Sequence, residues 1–396
     1  MDRFSERLAW ATPSNAYSLL LQEKRRSGGR LLDLTVTNPT EALSEYPHRD
    51  IADAFGLLSD FRYEPEALGT RTARQLVAQR YKGHGINTSA ERLALTASTS
   101  EAYSLLFKLL CDPGDEILIP CPSYPLFESL AKAEAVRTAP YQLRYDGAWF
   151  IDFESLRNAI SADTKAIVIV SPNNPTGSFL KQTEARELAA LANRHKLTII
   201  SDEVFMTYPA GAVDRTQVRT LIGQGETLSF SLNGLSKAAG MPQMKLAWIA
   251  VNGPAPEVDS ALSKLELLLD NYLSVSTPVQ RALSSLLAIG AGIQSKIAAR
   301  AEENRRALSL LNHTPVEPLV SEGGWSAILQ VPNIRLEEEW IAKLLNDYNV
   351  VMQPGYFYDM PREAYLVVSL LTDPIEFAEG ISRLKRLAAE HFLIQE

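Results

Sequence analysis

The stretch NGLSKAAG, Asn233 to Gly240, places one lysine among small residues directly after the apolar run LSFSL. A lysine on an ordinary helix face is solvated. At the end of a buried strand it is partly desolvated, which lowers its pKa and leaves a nucleophilic amine. Other apolar runs are followed by equally unusual residues. After LTII comes SDEVF, with Asp202 and Glu203; buried acids are costly unless paired, so Asp202 should meet a cationic or protonated partner, or else belong to a structural ion pair. After KAIVIV comes SPNNPTG, Ser171 to Gly177. Its prolines and glycine fix a tight turn, and its asparagine amides can face a ligand. After LALTA comes STSEA, in which Ser98 and Glu101 have capping-box spacing. This reads as a plain helix cap or as an anion site, because a helix N-terminus has free N–H groups.

The elements that must position these residues follow from the patterning. Short β-branched runs near 92–96, 116–120, 165–170, 197–200, 227–232 and 246–251 alternate with helical patterns such as 101–110 and 183–195. This predicts an α/β fold, a mostly parallel sheet flanked by helices. Ligands of such sheets collect beyond the carboxyl ends of the strands. An anion-binding cap, an asparagine turn, an acid and a lysine then share one edge. A phosphorylated pyridine aldehyde needs that set: an amine for a Schiff base, an acid at the ring nitrogen and a helix N-terminus for the phosphate. After about residue 285 a long helical stretch, 293–313, precedes three strands in GWSAILQVP, NVVMQPG and AYLVVSLL, an α+β pattern. We therefore expect an N-terminal arm and part of a small domain in 1–47, a large domain in 48–285, and the rest of the small domain in 286–396.

The 396 residues carry a net charge of −8, 46% hydrophobic and 22% charged residues, with a pI near 5.4. That balance argues against nucleic acid as the main partner, which requires a basic face. Two cysteines without CxxC spacing and a charged N-terminus point to a reducing cytoplasm. No uninterrupted apolar run reaches membrane-spanning length, and the five scattered histidines support no metal site.

With SPNNPTG, SDEV and LSK in order and at the right spacing, the chain from about 30 to 390 resembles the fold-type I pyridoxal-phosphate enzymes, specifically the class I/II aminotransferases. The resemblance implies pyridoxal 5′-phosphate on Lys237 as a Schiff base, with Lys237 later moving the proton at the substrate Cα. It implies Asp202 at the pyridinium nitrogen, Asn174 at the ring 3-oxygen and Tyr124 stacked on the ring. Ser98, Thr99, Ser100, Ser236 and Lys245 are implied at the phosphate. Tyr63, in RYEPEALG, resembles the tyrosine that reaches the neighbouring subunit's phosphate, which implies a homodimer with shared sites. Thr37 and Asn38, with Asn174, fall on the substrate side. The small-molecule partners are an amino donor and a keto acceptor.

Four positions depart from the family pattern. Phe205 stands where a tyrosine usually donates to the 3-oxygen, Gly234 where many relatives carry a hydroxyl, and Lys245 where an arginine is usual. Val367, in YLVVSLL, replaces the arginine that clamps the substrate α-carboxylate. Either another group takes that role, with Arg62 of a second subunit as one candidate, or the substrate lacks a carboxylate there. Trp325 and Tyr356 are expected as pocket walls. A lyase or decarboxylase using the same cofactor, and a non-catalytic sensor, are the competing readings.

Overall fold

The computed structural model describes residues 5, 7, 16–212, 214–362 and 364–393. The other residues of the 1–47 arm lie outside the described set. The six expected runs form strands Leu93–Thr96, Glu116–Cys121, Thr164–Val170, Thr198–Asp202, Ser229–Gly234 and Ala247–Asn252. Two further strands, Arg137–Tyr145 and Trp149–Ile151, complete an eight-stranded sheet. Its order, given by first residue, is 93, 247, 229, 198, 164, 116, 137 and 149. The five strands from Ser229–Gly234 to Arg137–Tyr145 pair parallel. Ala247–Asn252 runs antiparallel to both neighbours, and Trp149–Ile151 closes one edge antiparallel.

The uninterrupted apolar runs have a simple cause: both faces of the sheet are covered. Ile117, Ile119, Ala166, Val168, Ile200 and Phe230 pack on one side with residues of helices Thr99–Leu110 and Ala255–Asp270. Leu118, Ile167, Ile169 and Ile199 pack on the other with helix Gln182–His195. The two unanticipated strands lie at the edge. RTAPYQLRY buries Tyr141 and Leu143 but exposes Arg137 and Arg144, so no continuous apolar run announces it.

The chain's later part forms a four-stranded antiparallel sheet, Glu317–Pro318, Ser326–Gln330, Tyr365–Ser369 and Gln353–Pro354 in spatial order. Leu32–Asp33 pairs parallel with Val350–Val351, so residues from near both ends of the chain meet. Helix Thr277–Ala307 crosses position 285 and links the two sheets' surroundings. Averaged over a window, the stretch Thr277–Leu311 is long and apolar enough to cross a membrane, which an uninterrupted-run reading does not detect. Its apolar stripe, Leu283, Leu286, Ile293 and Ile297, is buried in the protein core.

Candidate active site

Asp202 and Lys237 are brought together by strand register. Ser229–Gly234 lies parallel to Thr198–Asp202, with Leu232 opposite Asp202, and the chain turns into Leu235–Ala238 directly beyond. Gly234 is required at that turn: a Cβ there would lie 2.7 Å from the Cβ of Ala247. The close approach of the antiparallel neighbour excludes any side chain, including the hydroxyl many relatives carry.

Lys237 is partly accessible, yet protein surrounds its ammonium closely. Desolvation pushes its pKa down, and the Asp202 carboxylate opposes that shift. The Nζ atom sits 4.9 Å from the Trp325 ring centroid and 5.8 Å from that of Phe205. Those rings meet edge to face at 4.9 Å, and Tyr208 leans on Trp325 at 5.2 Å. Tyr208 Oη also donates to the Lys237 carbonyl at 2.6 Å, fixing the turn. Phe205 therefore occupies its position as a packing ring.

Asp202 is buried, and desolvation raises its pKa to about 6 against the pull of three favourable partners. The Val204 N–H donates to Oδ1 at 3.1 Å, Tyr103 Oη donates to Oδ2 at 3.0 Å, and Lys237 contributes its charge. Its expected cationic partner is thus supplemented by two neutral donors. Next to it, Glu203 Oε1 accepts from Ser201, Ser231 and the Leu221 N–H, each at 2.9 Å. Burial raises that carboxyl to about 7. Tyr103 was missed by sequence reasoning because it sits on the apolar face of a helix, where an aromatic reads as packing.

At the start of helix Thr99–Leu110, Ser98 Oγ caps the Glu101 N–H at 3.1 Å. The Glu101 carboxylate accepts from the Ala97 N–H rather than from Ser98, so the capping box is displaced by one residue. Among the described residues, the N–H groups of Ser98, Thr99 and Ser100 have no internal acceptor, consistent with the free donors of a first helical turn. The turn after Thr164–Val170 divides its two asparagines. Asn173 is buried and accepts from Thr176 Oγ1 at 3.1 Å. Asn174 is partly exposed; its Oδ1 accepts from Ser326 Oγ at 3.0 Å, and its amide nitrogen donates to no acceptor among the described residues.

Tyr124 follows strand Glu116–Cys121 and is exposed. Its neighbour Ser123 donates through its N–H to Tyr358 O at 3.1 Å and meets Asn173, so Tyr124 lies beside the asparagine turn. Ser236 is partly exposed in the lysine turn. Lys245 is exposed with φ 49°. Asn38 caps the short helix Pro39–Ala42: Oδ1 accepts from the Thr40 N–H, and its amide donates to Glu41. Its side chain is thereby committed, while Thr37 is exposed. Tyr63 is exposed and lines a hollow with Gly69, Ser274 and Gln280. Arg62 pairs with Asp60 at 2.9 Å.

The small sheet presents a different surface. Ser326, which holds Asn174, lies opposite Ser369, and Ile328 lies opposite Val367 on the same face. Val367 is 1% exposed and packs with Leu118, Ile169 and Tyr358. It cannot reach or bind a carboxylate. Tyr356 sits in the turn Gly355–Tyr358, anchored through its N–H to Glu337.

A buried acid, a desolvated lysine, an amide N–H without an internal acceptor and free helix N–H groups at strand ends of one sheet match a phosphorylated pyridine ring in both charge and hydrogen-bonding character. Residues 31–383 match the family model for aminotransferase class I and II. The chain belongs to that family and is an enzyme that transfers amino groups. It is 25% identical over 390 residues to the glutamate-pyruvate aminotransferase AlaA of Haemophilus influenzae, covering 96% of this chain and 95% of that one. It is 26% identical over 372 residues to the alanine aminotransferase of Mycobacterium tuberculosis, covering 90% and 85%. Among solved structures, an alanine aminotransferase from Pyrococcus furiosus superposes with a TM-score of 0.85 at 21% identity, covering 98% of this chain and all of that one. The aspartate aminotransferase of Thermotoga maritima gives 0.82 at 19%, covering 97% and 99%.

Proposed function

We propose that this aminotransferase works with pyridoxal 5′-phosphate held by Lys237, moving an amino group between an amino acid or amine and a keto acid or aldehyde. When bound, the cofactor supplies an electron sink that labilises the bonds at the substrate Cα. The chain's residues do the rest. Lys237, its pKa lowered by desolvation, holds and returns the proton at that carbon. Asp202 keeps a proton at the ring nitrogen, with Tyr103 and the Val204 N–H fixing its carboxylate. Asn174 donates to the ring oxygen, Tyr124 covers the ring, and Ser98, Thr99, Ser100, Ser236 and Lys245 take the phosphate. The observation that carries this reading is the strand register that sets a desolvated lysine beside a buried aspartate.

The exposed Tyr63 is the residue a second copy would use, so the active form is a homodimer with shared sites. Residues 48–285 would bind the cofactor, with 1–47 and 286–396 closing over it, in a cytoplasmic enzyme. Thr37, the Asn38 backbone and Asn174 line the substrate side. The names of the relatives make alanine and glutamate the first donors to try. Val367 sets this chain apart, because a donor's carboxylate must be held by groups other than residue 367. The test is spectroscopic. Wild-type protein with pyridoxal phosphate should show a visible band that Lys237→Ala lacks. An amino donor should bleach it, and a keto acid should restore it. A band that no donor in a panel of amino acids and amines bleaches would sink the reading.

A further inference from the structure

Lys237 stands in Leu235–Ala238, a helix of a single turn. So short a helix cannot hold its own position, because helix nucleation is costly and its last carbonyls find no partner within it. Three side chains from distant segments donate to the carbonyls at and beyond the lysine. Tyr208 Oη donates to Lys237 O at 2.6 Å, Arg80 Nη2 to Ala238 O at 3.0 Å, and Tyr46 Oη to Gly240 O at 2.9 Å. Gln243 Nε2 donates in turn to Tyr46 Oη at 2.9 Å, which fixes that hydroxyl. From the side, helix Thr277–Ala307 presses on the turn: a Cβ at Gly290 would lie 2.5 Å from the Cβ of Ala239.

The donors are themselves held. Tyr208 and Tyr46 are buried, and the Tyr208 ring leans on Trp325. Arg80 comes from helix Arg71–Gly83 and also approaches Gln294 Oε1 at 3.4 Å. Desolvation draws its pKa down, yet a guanidinium stays charged, so its bond to the carbonyl is charge-assisted. The lysine amine is treated differently. Among the described residues no hydrogen bond holds Lys237 Nζ; Asp202 acts on it by charge, and the rings of Trp325 and Phe205 lie beside it. A lysine side chain has four flexible carbon–carbon bonds, so the place its amine reaches is set by its backbone anchor. A misplacement of about 1 Å at a reacting group can cost about 10²-fold in rate.

We propose that Tyr208, Arg80 and Tyr46 are positioning residues, which place the Lys237 amine by holding the carbonyls of its turn. This role rests on the function proposed above, with the cofactor on Lys237. The full chain loaded with pyridoxal phosphate is compared with Tyr208→Phe, Arg80→Met, Arg80→Lys and Tyr46→Phe. Each tyrosine change removes one hydroxyl and keeps the ring, so the packing is retained. Steady-state kcat and KM are measured with the best donor of the amino-acid and amine panel. Circular dichroism of the visible band, per bound cofactor, reports how asymmetrically the cofactor is held. Tyr208→Phe should lower kcat about three- to tenfold, the loss of one hydrogen bond, and leave KM within about twofold. It should also weaken the dichroism. Arg80→Met should act in the same direction, and Arg80→Lys, which keeps a donor, should recover most of that loss. Tyr46→Phe should do least, because its carbonyl is the farthest from the lysine. Wild-type kcat or wild-type dichroism in folded Tyr208→Phe overturns the proposal, even if the melting temperature falls, because the contact would then only stabilise the fold. So does an Arg80→Lys protein no better than Arg80→Met. A wild type without a visible band, or with one that no donor bleaches, sinks the proposed function and this role with it; a normal wild type with unaltered variants sinks this role alone.

Discussion

The carboxyl edge of the large sheet and the face of the small sheet over it are built in opposite ways. The large-sheet edge buries Asp202, Glu203, Ser201, Ser231 and Asn233 close together and links them through hydrogen bonds, with Glu203 Oε2 left without a partner. The small-sheet face offers two serine hydroxyls and otherwise aliphatic side chains, Ile328 and Val367. Hydrogen bonds between buried polar groups hold their side chains in place, so the polar character of the first surface is specified. The second surface carries no cation at residue 367 and leaves substrate anchoring to other segments. The site is thus explicit about what it does to a substrate amine and silent about what else the substrate carries.

Substitutions can break this contrast. The largest effect should come from Lys237→Ala, which removes the visible band and lowers turnover by roughly 10²–10⁴-fold or more. Steady-state rates that survive this change would dissolve the distinction between the two surfaces. Asp202→Asn should cost about 10²–10³-fold in turnover, yet it should not destabilise the cofactor-free protein at pH 8. The sign follows from its raised pKa of about 6. The folded chain holds a proton on this carboxyl that the unfolded chain has released, so stability falls as pH rises from about 4 to 6. Removing the carboxylate removes that penalty, and urea unfolding of the two proteins at pH 8 checks it.

On the opposing face, Val367→Ala should behave as a core truncation, losing about 1–3 kcal/mol of stability with little change in turnover. Thermal melts paired with kinetics decide this. A large rise in KM without a change in melting temperature would show Val367 facing substrate, and the contrast would need redrawing. Glu203 gives a finer test. Its pKa of about 7 makes stability fall as pH rises from about 4 to 7. Glu203→Gln should flatten that slope by about 1–3 kcal/mol between pH 5 and 8, measured by denaturant titration. The smallest effect belongs to Tyr103→Phe. Loss of one hydrogen bond to Asp202 should raise the aspartate pKa further and cost about 0.5–1.5 kcal/mol, visible as a modest drop in turnover and a shifted pH profile.

Much of the large-sheet edge was legible from residue order, because buried parallel strands are written as apolar runs and whatever follows a run must lie at its end. Lys237, Asp202, Asn174 and the Ser98 cap were found in that way. Tyr103, Tyr208 and Ser326 were not. Each acts through a contact between segments far apart in the chain: Tyr103 with Asp202, Tyr208 with Lys237, Ser326 with Asn174. Nothing local marks a packing tyrosine as a hydrogen-bond donor to a buried acid. The strand Arg137–Tyr145, next to the sheet's edge, escaped for a related reason, since its exposed Arg137, Pro140 and Arg144 break any continuous apolar pattern.

By itself the sequence determined the alternation of strands and helices and the sheet edge at which Lys237 and Asp202 lie. These depend on short-range patterning and on a covering of both sheet faces that any such run demands. Only the tertiary structure decided why Gly234 can carry no side chain and how Asp202 is held at a raised pKa. Those outcomes are set by distances between segments that the chain order does not encode. They depend on desolvation, which exists only once the segments have packed.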